Sequence, residues 1–205
     1  MSAIPKAKWG LVKKLYLSGL PMREVALRLN VSLDAVTYAM RKSAVPRRSL
    51  KEASRLAFEA KTPSFAVRKS RNPLRREMEL IGAMLYWAEG YKRETASGVD
   101  FANSDPDMAA LFFHFLMTRY ILDTQRLYFS VYHYSDQDLA EIIKFWAKKL
   151  GVSASAFRHS YRKENPNLDS RKLPYGVLHI RYNDKKLLRD MLSLIESYKR
   201  KYILR

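Results

Sequence analysis

The 205-residue chain contains no cysteine, which excludes disulfide bonds and thiolate metal sites. It also lacks any apolar stretch of the roughly 18 to 20 residues that cross a bilayer, and residues 1–14 lack the apolar core of a signal peptide. We therefore expect a cytoplasmic protein with no membrane partner. With 47% hydrophobic residues, the composition is that of a globular protein with one large domain or two small ones.

Motifs of several enzyme classes are missing as well. The seven glycines form no glycine-rich phosphate loop, and neither GxSxG nor HExxH occurs. The four histidines are scattered, without the short spacing of a metal-ligand pair: His114, His133, His159 and His179. Nucleotide hydrolysis, acyl transfer and a histidine metal site therefore find no support, and no small-molecule substrate is evident.

Acidic residues are few relative to basic ones. The chain has 38 Lys and Arg against 20 Asp and Glu, a net charge of +18 and a pI near 10.1. Residues 1–76 hold 18 of the basic and only 4 of the acidic residues, so the excess is concentrated in the first third. Such a charge favours a polyanionic partner, and we predict double-stranded DNA. A membrane surface is less favoured because no strongly amphipathic helix accompanies the charges.

Residues 6–42 show the apolar spacing of three short helices, of which the second spans 22–29 and the third 32–42. Asn30 tolerates the left-handed turn between them, and Ser32 can cap the third helix. The positions expected to be buried are Val25, Ala26, Leu29, Val31, Val36 and Ala39. This register resembles the helix-turn-helix of the resolvase and sigma-factor type. A three-helix bundle that binds protein is the alternative.

The helix-turn-helix resemblance implies that the helix 32–42 lies in the major groove. We expect its DNA-contacting residues to be Ser32, Asp34, Thr37, Tyr38, Arg41 and Lys42. Arg41 can pair with a guanine edge or a phosphate, and Asp34 can accept a hydrogen bond from cytosine. One helix-turn-helix buries too little surface for tight binding, so a second contact or a dimer is expected.

Residues 46–76 form a basic segment punctuated by prolines, with a helix predicted over 49–61. Such a segment can follow the phosphate backbone between two DNA-reading modules, giving affinity without sequence information. The phosphate contacts that we expect here are Arg47, Arg48, Arg68, Lys69, Arg71 and Arg75. The alternative is a solvated linker that is merely rich in basic residues.

The run LIGAMLYWAEG at residues 80–90 carries no charge before Glu89. Its small residues allow a close-packed helix, and Gly90 can supply a left-handed cap at its end. Residues 85–90 resemble the LAGLIDADG motif of a homing-endonuclease family. In that motif Glu89 falls on the metal-binding acid and Gly90 on the closing glycine, whereas Trp87 replaces the inner acid and Met84 the first glycine. An ordinary core helix with a capped end is the alternative.

The elements predicted from residue 75 onward are a helix, a short hairpin, a helix, a strand, a helix, two strands and a helix. This order resembles a LAGLIDADG half-domain, whose antiparallel sheet straddles the major groove, with one extra helix between the third and fourth strands. Along residues 126–134, alternation directs Leu127, Phe129 and Val131 to the core. The DNA contacts expected from this domain are Arg126, Tyr128, Arg158, Arg162, Lys163, Arg171, Lys172 and Arg181.

The sequence thus predicts an α+β chain. It comprises an all-α helix-turn-helix domain at 1–45, a basic linker with a helix at 46–76, and a LAGLIDADG-like α+β domain with an antiparallel sheet at 77–205. Bacterial regulators of the WhiA type resemble this domain content, although in the opposite order. The resemblance implies a site-specific DNA-binding protein of the nucleoid, a transcriptional regulator on a former endonuclease scaffold, that needs no cofactor.

The alternative function is a LAGLIDADG-type homing endonuclease that cleaves DNA with Mg²⁺. Glu89 would then be both the metal ligand and the catalytic residue. Because the chain has only one such helix, two copies would have to meet as a homodimer through the helix at 80–90.

Overall fold

The computed structural model describes residues 4–69, 72–93, 95–164 and 173–203. The chain divides into two compact units, the first Met1–Thr62 and the second Pro63–Arg205. The division falls inside the segment 46–76 that the sequence predicts as a linker. The first unit is helical and the second combines helices with strands, so the predicted α+β class is confirmed. No helix in the described ranges is long and apolar enough to cross a bilayer.

The first unit contains four helices. They are α1 (Trp9–Leu17), α2 (Met22–Leu29), α3 (Leu33–Lys42) and α4 (Leu50–Ala60), and a short 3-10 turn precedes them at Lys6–Lys8. Val25, Val36 and Ala39 are buried as predicted, together with Val12 and Tyr16 of α1. Leu29 and Val31 are only half-buried. The core of this unit is therefore formed by α1, α2 and α3.

The described residues of the second unit form four helices and six strands. The helices are α5 (Pro73–Glu89), α6 (Pro106–Arg119), α7 (Leu139–Leu150) and α8 (Lys185–Tyr202). The strands are β1 (Phe65–Val67), β2 (Val99–Asn103), β3 (Tyr120–Leu122), β4 (Leu127–Tyr134), β5 (Tyr161–Lys163) and β6 (Val177–Tyr182). β1 and β3 form a small antiparallel ribbon, and the other four strands form a sheet in the order β2-β6-β4-β5.

The larger sheet is mixed, which corrects the prediction of an antiparallel sheet. β6 pairs antiparallel with both β2 and β4, but β5 pairs parallel with β4. The reason is α7, because a helical crossover returns the chain to the same end of the sheet and so gives a parallel neighbour. β5 begins only at Tyr161, since His159 just before it has φ of +53° and interrupts the extended backbone.

The inner face of the sheet carries the core. Phe129 and Val131 of β4 are buried as predicted, facing Ile180 and Leu178 of β6 in register. Buried side chains from all four helices of the second unit cover this face, including Tyr86, Phe112, Trp146 and Leu187. The opposite side chains of the same strands, such as Tyr132, remain partly exposed.

Gly90 ends α5 in an extended conformation, with φ −76° and ψ 147°, which corrects the prediction of a left-handed cap. Its amide donates to the Tyr86 carbonyl at 2.9 Å, and the Lys92 ammonium donates to the carbonyls of Trp87 and Gly90. A Cβ at position 90 would come within 2.5 Å of the Tyr86 ring and carbonyl. Glycine is needed here because the chain passes close to Tyr86.

Residues 63–69 and 72–76 are attached to the second unit. The Ser64 amide and hydroxyl donate to Asp184 Oδ2 at 2.9 and 2.7 Å, and the Tyr182 hydroxyl donates to the Ser64 carbonyl at 2.6 Å. β1 pairs with β3, and α5 begins at Pro73 with Asn72 as its cap. The predicted helix at 49–61 is observed as α4 in the first unit.

Candidate nucleic-acid interface

The connection between α2 and α3 has the backbone geometry that the sequence predicts. Asn30 lies in the left-handed region with φ 52° and ψ 48°. The Ser32 hydroxyl accepts a hydrogen bond from the Ala35 amide at 3.1 Å and so caps α3. Ser32, predicted to contact DNA, therefore has a capping role that fixes where α3 begins.

One side of α3 is exposed and carries most of the predicted contacts. Asp34, Arg41 and Lys42 are exposed, Thr37 is half-buried and the Tyr38 side chain is 48% exposed. The Arg41 guanidinium and the Lys42 ammonium lie 5.6 and 5.8 Å from the centre of the Tyr38 ring. Two cations and one aromatic ring are thus gathered at the C-terminal end of this helix.

Arg47 and Arg48 are neighbours with different surroundings. Arg47 is exposed. The Arg48 guanidinium donates to the carbonyls of Tyr16, Gly19 and Leu20, and it lies 3.9 Å from the centre of the Tyr16 ring. Arg48 therefore holds the C-terminal end of α1, a role that the sequence did not reveal because it depends on contacts about 30 residues away.

The other described residues of the predicted linker that were expected to contact DNA lie in the second unit. Arg68 and Lys69 are exposed, and the Arg68 amide donates to the Arg119 carbonyl at 2.8 Å beside β3. Arg75 is half-buried on α5. Arg71, Arg171 and Lys172, which the sequence also predicts as contacts, lie outside the described residues.

Alternation along the larger sheet creates a second polar and aromatic surface, which we call the outer face. It includes Asp100, Tyr128, Tyr132, Tyr161, His179 and Arg181, whereas Ser130 on the same side of the sheet is fully buried. The Tyr132 ring lies 5.4 Å from the Tyr161 ring and 4.2 Å from the His179 ring. Of the predicted contacts, Tyr128 and Arg181 belong to the outer face, and the register places Lys163 at its end.

A hydrogen-bond network joins three strands across the outer face. The Arg181 Nε donates to Asp100 Oδ2 at 2.9 Å, and an Arg181 terminal nitrogen donates to the Tyr132 hydroxyl at 3.1 Å. His179 Nδ1 lies 2.8 Å from Asp100 Oδ1. Burial alone raises the pKa of Asp100, but hydrogen bonds and positive charge from His179 and Arg181 outweigh it, so the pKa lies below its ordinary value. The sequence does not reveal the pairing of Asp100 with His179, because it depends on strand register.

Other predicted contacts are not brought to the outer face. Arg162 pairs in register with His133, which is 7% exposed and directed to the inner side, and its Nε lies 3.8 Å from Glu164. The Arg126 guanidinium donates to the Asn183 carbonyl at 2.9 Å and pairs with Asp123. Arg158 is exposed, and its amide donates to the Phe129 carbonyl.

Glu89 is exposed at the last position of α5. Among the described residues, no group of three His, Cys, Asp or Glu side chains could hold a metal ion. Mg²⁺ requires several oxygen ligands. One Glu89 carboxylate beside the Lys92 ammonium at the same helix end does not fit Mg²⁺ within a single chain.

The helix predicted to form a dimer, α5, has two contrasting sides. Gly82 and Ala83 are buried, and Gly82 packs against Phe115 of α6 within the same chain. The other side leaves Leu74 and Ile81 exposed at 70% and 39%.

Comparisons of the chain with models of protein families, with curated proteins and with solved structures gave no match.

Proposed function

We propose that the protein binds double-stranded DNA at specific sites and acts as a transcriptional regulator in the nucleoid. In this proposal α2 and α3 form a helix-turn-helix, and α3 enters the major groove. The outer face is a second DNA-contacting surface on a LAGLIDADG-like scaffold. No cofactor is required for this activity.

The arrangement of α2 and α3 is the observation that carries the proposal. A left-handed Asn30 and a capping Ser32 join two short helices whose facing side chains, including Val25 and Val36, are fully buried. This packing leaves the opposite side of α3 free to meet a partner. Tyr38 and Arg41 on that side offer an aromatic ring and a fork of donors, which suit base edges and phosphates.

Charge and surface chemistry support DNA as the partner. The net charge of +18 provides the electrostatic attraction that dominates affinity for a duplex. The outer face adds Arg181 and several tyrosines, which can donate to phosphate oxygens and to base edges. A second contact of this kind raises the buried area above what one small module supplies.

The order of elements from α5 to α8 supports the LAGLIDADG-like scaffold. A helix, a strand region, a helix, strands and a final helix follow one another, with α7 inserted between β4 and β5. The exposed Leu74 and Ile81 on α5 support a homodimer formed by this helix and its copy. A two-fold dimer reads two half-sites, so we expect the preferred DNA sequence to be an inverted repeat.

The endonuclease is the alternative within the same scaffold. It depends on two Glu89 side chains meeting in the homodimer, because the described residues of one chain include no group of three His, Cys, Asp or Glu side chains that could hold a metal ion. Trp87 occupies the position of the inner acid of the motif, and the side chain is 40% exposed. A regulator is therefore favoured over a nuclease.

The test is selection from a randomised duplex library in the presence of Mg²⁺ or Mn²⁺, with bound and cut DNA recovered from the same tube. The native chain is compared with Glu89→Gln. We expect both proteins to retain the same intact sequences, enriched over the starting library. Retention without enrichment would contradict site-specific binding. Metal-dependent cutting that Glu89→Gln abolishes would establish the endonuclease.

A further inference from the structure

The position of the proton on His179 follows from its partner. Nδ1 lies 2.8 Å from Asp100 Oδ1. An ionised carboxylate only accepts hydrogen bonds, so the hydrogen-bond network assigns the proton of the neutral ring to Nδ1. The reverse tautomer would set two acceptors against each other. Burial raises the pKa of Asp100, but the hydrogen bonds from His179 and Arg181 and the charge of Arg181 act against it, so the pKa lies below its ordinary value and the carboxylate is ionised.

The other ring nitrogen, Nε2, has no hydrogen-bond partner among the residues that the structure describes. In the neutral ring Nε2 is an acceptor. When the ring takes up a second proton, Nε2 becomes a donor and the side chain gains a positive charge.

The groups around His179 are distributed over three strands. On β2 the charged neighbour is Asp100, and the register partner is Ala102. On β6 the charged neighbour is Arg181, whose terminal nitrogen lies 3.3 Å from Nδ1 of His179. On β4 the neighbours are Tyr132, whose ring centre lies 4.2 Å away and is tilted by 34°, and Ser130, both uncharged. The charged groups that face the ring are therefore one carboxylate and one guanidinium.

We propose that His179 is a protonation-dependent DNA contact, that Asp100 is its positioning residue, and that DNA binding at the outer face tightens as His179 takes up a proton. The inference rests on the proposed function, because the outer face must meet DNA. The imidazolium donates to an acceptor on the DNA, which is either a phosphate oxygen or the N7 and O6 edge of guanine. The neutral ring cannot make this contact.

The experiment measures the affinity of the full chain for its selected duplex between pH 5.5 and 8.0. Native protein is compared with His179→Gln, and with His114→Gln on α6 as the matched control. We expect native affinity to rise as pH falls, by no more than tenfold per pH unit because one proton is involved. His114→Gln should follow the native curve, and His179→Gln should give an affinity that does not change with pH.

A second variant tests the positioning residue. Asp100→Asn keeps the shape of the side chain and removes its charge. The midpoint of the affinity curve should then move to lower pH, because one of the groups that favours the imidazolium is lost. A merely structural role for Asp100 would lower affinity equally at every pH, and that outcome would overturn the positioning role. Circular dichroism at each pH verifies that the variants remain folded.

Two further measurements distinguish the source of the acceptor. A contact with one more phosphate releases one more counterion from the DNA. The slope of the logarithm of the binding constant against the logarithm of the salt concentration should therefore steepen by about 0.9 at pH 5.5 relative to pH 8.0. A guanine contact should instead confine the pH effect to duplexes that keep the base pair containing the contacted guanine. Either result supports the inference.

Failure of the inference is distinguishable from failure of the proposed function. A native protein that binds its site with pH-independent affinity would overturn the role of His179 and leave site-specific binding intact. Persistence of the native pH dependence in His179→Gln would do the same. A native protein that binds no duplex at any pH would overturn both.

Discussion

Gly82 of α5 lies directly against the ring of Phe115 of α6, so closely that a Cβ at position 82 would be 2.0 Å from Phe115 Cγ. Phe115 is fully buried and its ring centre is 5.8 Å from that of Phe112, so moving the ring would disturb the surrounding core. We expect Gly82→Ala to lower the free energy of unfolding of the second unit by about 1–3 kcal/mol, despite the better helix propensity of alanine. Urea denaturation followed by circular dichroism measures the change.

Gly10 provides the matched control for this prediction. It lies in α1, and a Cβ there would meet no heavy atom within 4 Å. Gly10→Ala should therefore be neutral or stabilise the chain by up to about 1 kcal/mol, because alanine loses less entropy in a helix. If Gly82→Ala did not lower the free energy of unfolding either, the structure would be wrong in placing α5 so close to α6.

The boundary of the second unit makes a separate prediction. A fragment starting at residue 63 retains Ser64, which bonds to Asp184 and Tyr182, and it retains the pairing of β1 with β3. A fragment starting at residue 77 loses these contacts and the first turn of α5. We expect 63–205 to unfold cooperatively and 77–205 to be partly unfolded and to bind a hydrophobic dye. Equal near-ultraviolet dichroism and equal stability of the two fragments would contradict this boundary.

The helices of the chain could be located from sequence because their signals are local. The Ser32 cap bonds to an amide three residues away, and the Asn30 turn depends mainly on the conformational freedom of one residue. The apolar spacing of α2 was equally informative. Such features do not depend on the rest of the fold, so α2 was predicted with its observed bounds.

The strand pairing and the outer-face network could not be predicted because their partners are distant in sequence. β1 is only three residues long and depends on β3, and Asp100 and His179 are separated by 79 positions. The conformation of Gly90 was predicted wrongly for a different reason, because Tyr86 is only four residues away. A glycine at a helix end is typical of a left-handed cap, but here it is required by the packing of the chain against Tyr86.

Arg47 and Arg48 should respond differently to the same substitution. Arg48→Ala removes hydrogen bonds to three carbonyls and a cation–π contact with Tyr16. We expect it to lower the free energy of unfolding of the first unit by about 1–3 kcal/mol. Arg47 is exposed, so Arg47→Ala should change stability by less than about 0.5 kcal/mol. Thermal unfolding of the two variants measures both effects.

DNA affinity completes this comparison of adjacent arginines. Arg47→Ala should weaken binding to selected and random duplexes alike and reduce the dependence on salt, as expected for a phosphate contact. Arg48→Ala should retain affinity under conditions where the first unit is still folded, because its guanidinium is already engaged within that unit. Loss of affinity in folded Arg48→Ala with native affinity in Arg47→Ala would reverse these assignments.

Arg41 tests whether α3 reads sequence. Its side chain is exposed beside Tyr38 at the C-terminal end of the helix. We expect Arg41→Ala to weaken binding to the selected site by roughly 1–3 kcal/mol and to relax selectivity at one base pair, because a bidentate contact to guanine is lost. Competition assays with the selected duplex and with variants at each position measure both quantities.

The control for Arg41→Ala is Arg200→Ala, which removes the same charge from an exposed position on α8. If charge alone determined affinity, the two variants would lose the same affinity. Each would also lose as much affinity for random DNA as for the selected duplex. Equal loss by Arg41→Ala on selected and random duplexes would show that Arg41 contacts only phosphate. Native affinity and native selectivity in Arg41→Ala would remove α3 as the DNA-reading helix, since Arg41 is the arginine on its exposed side.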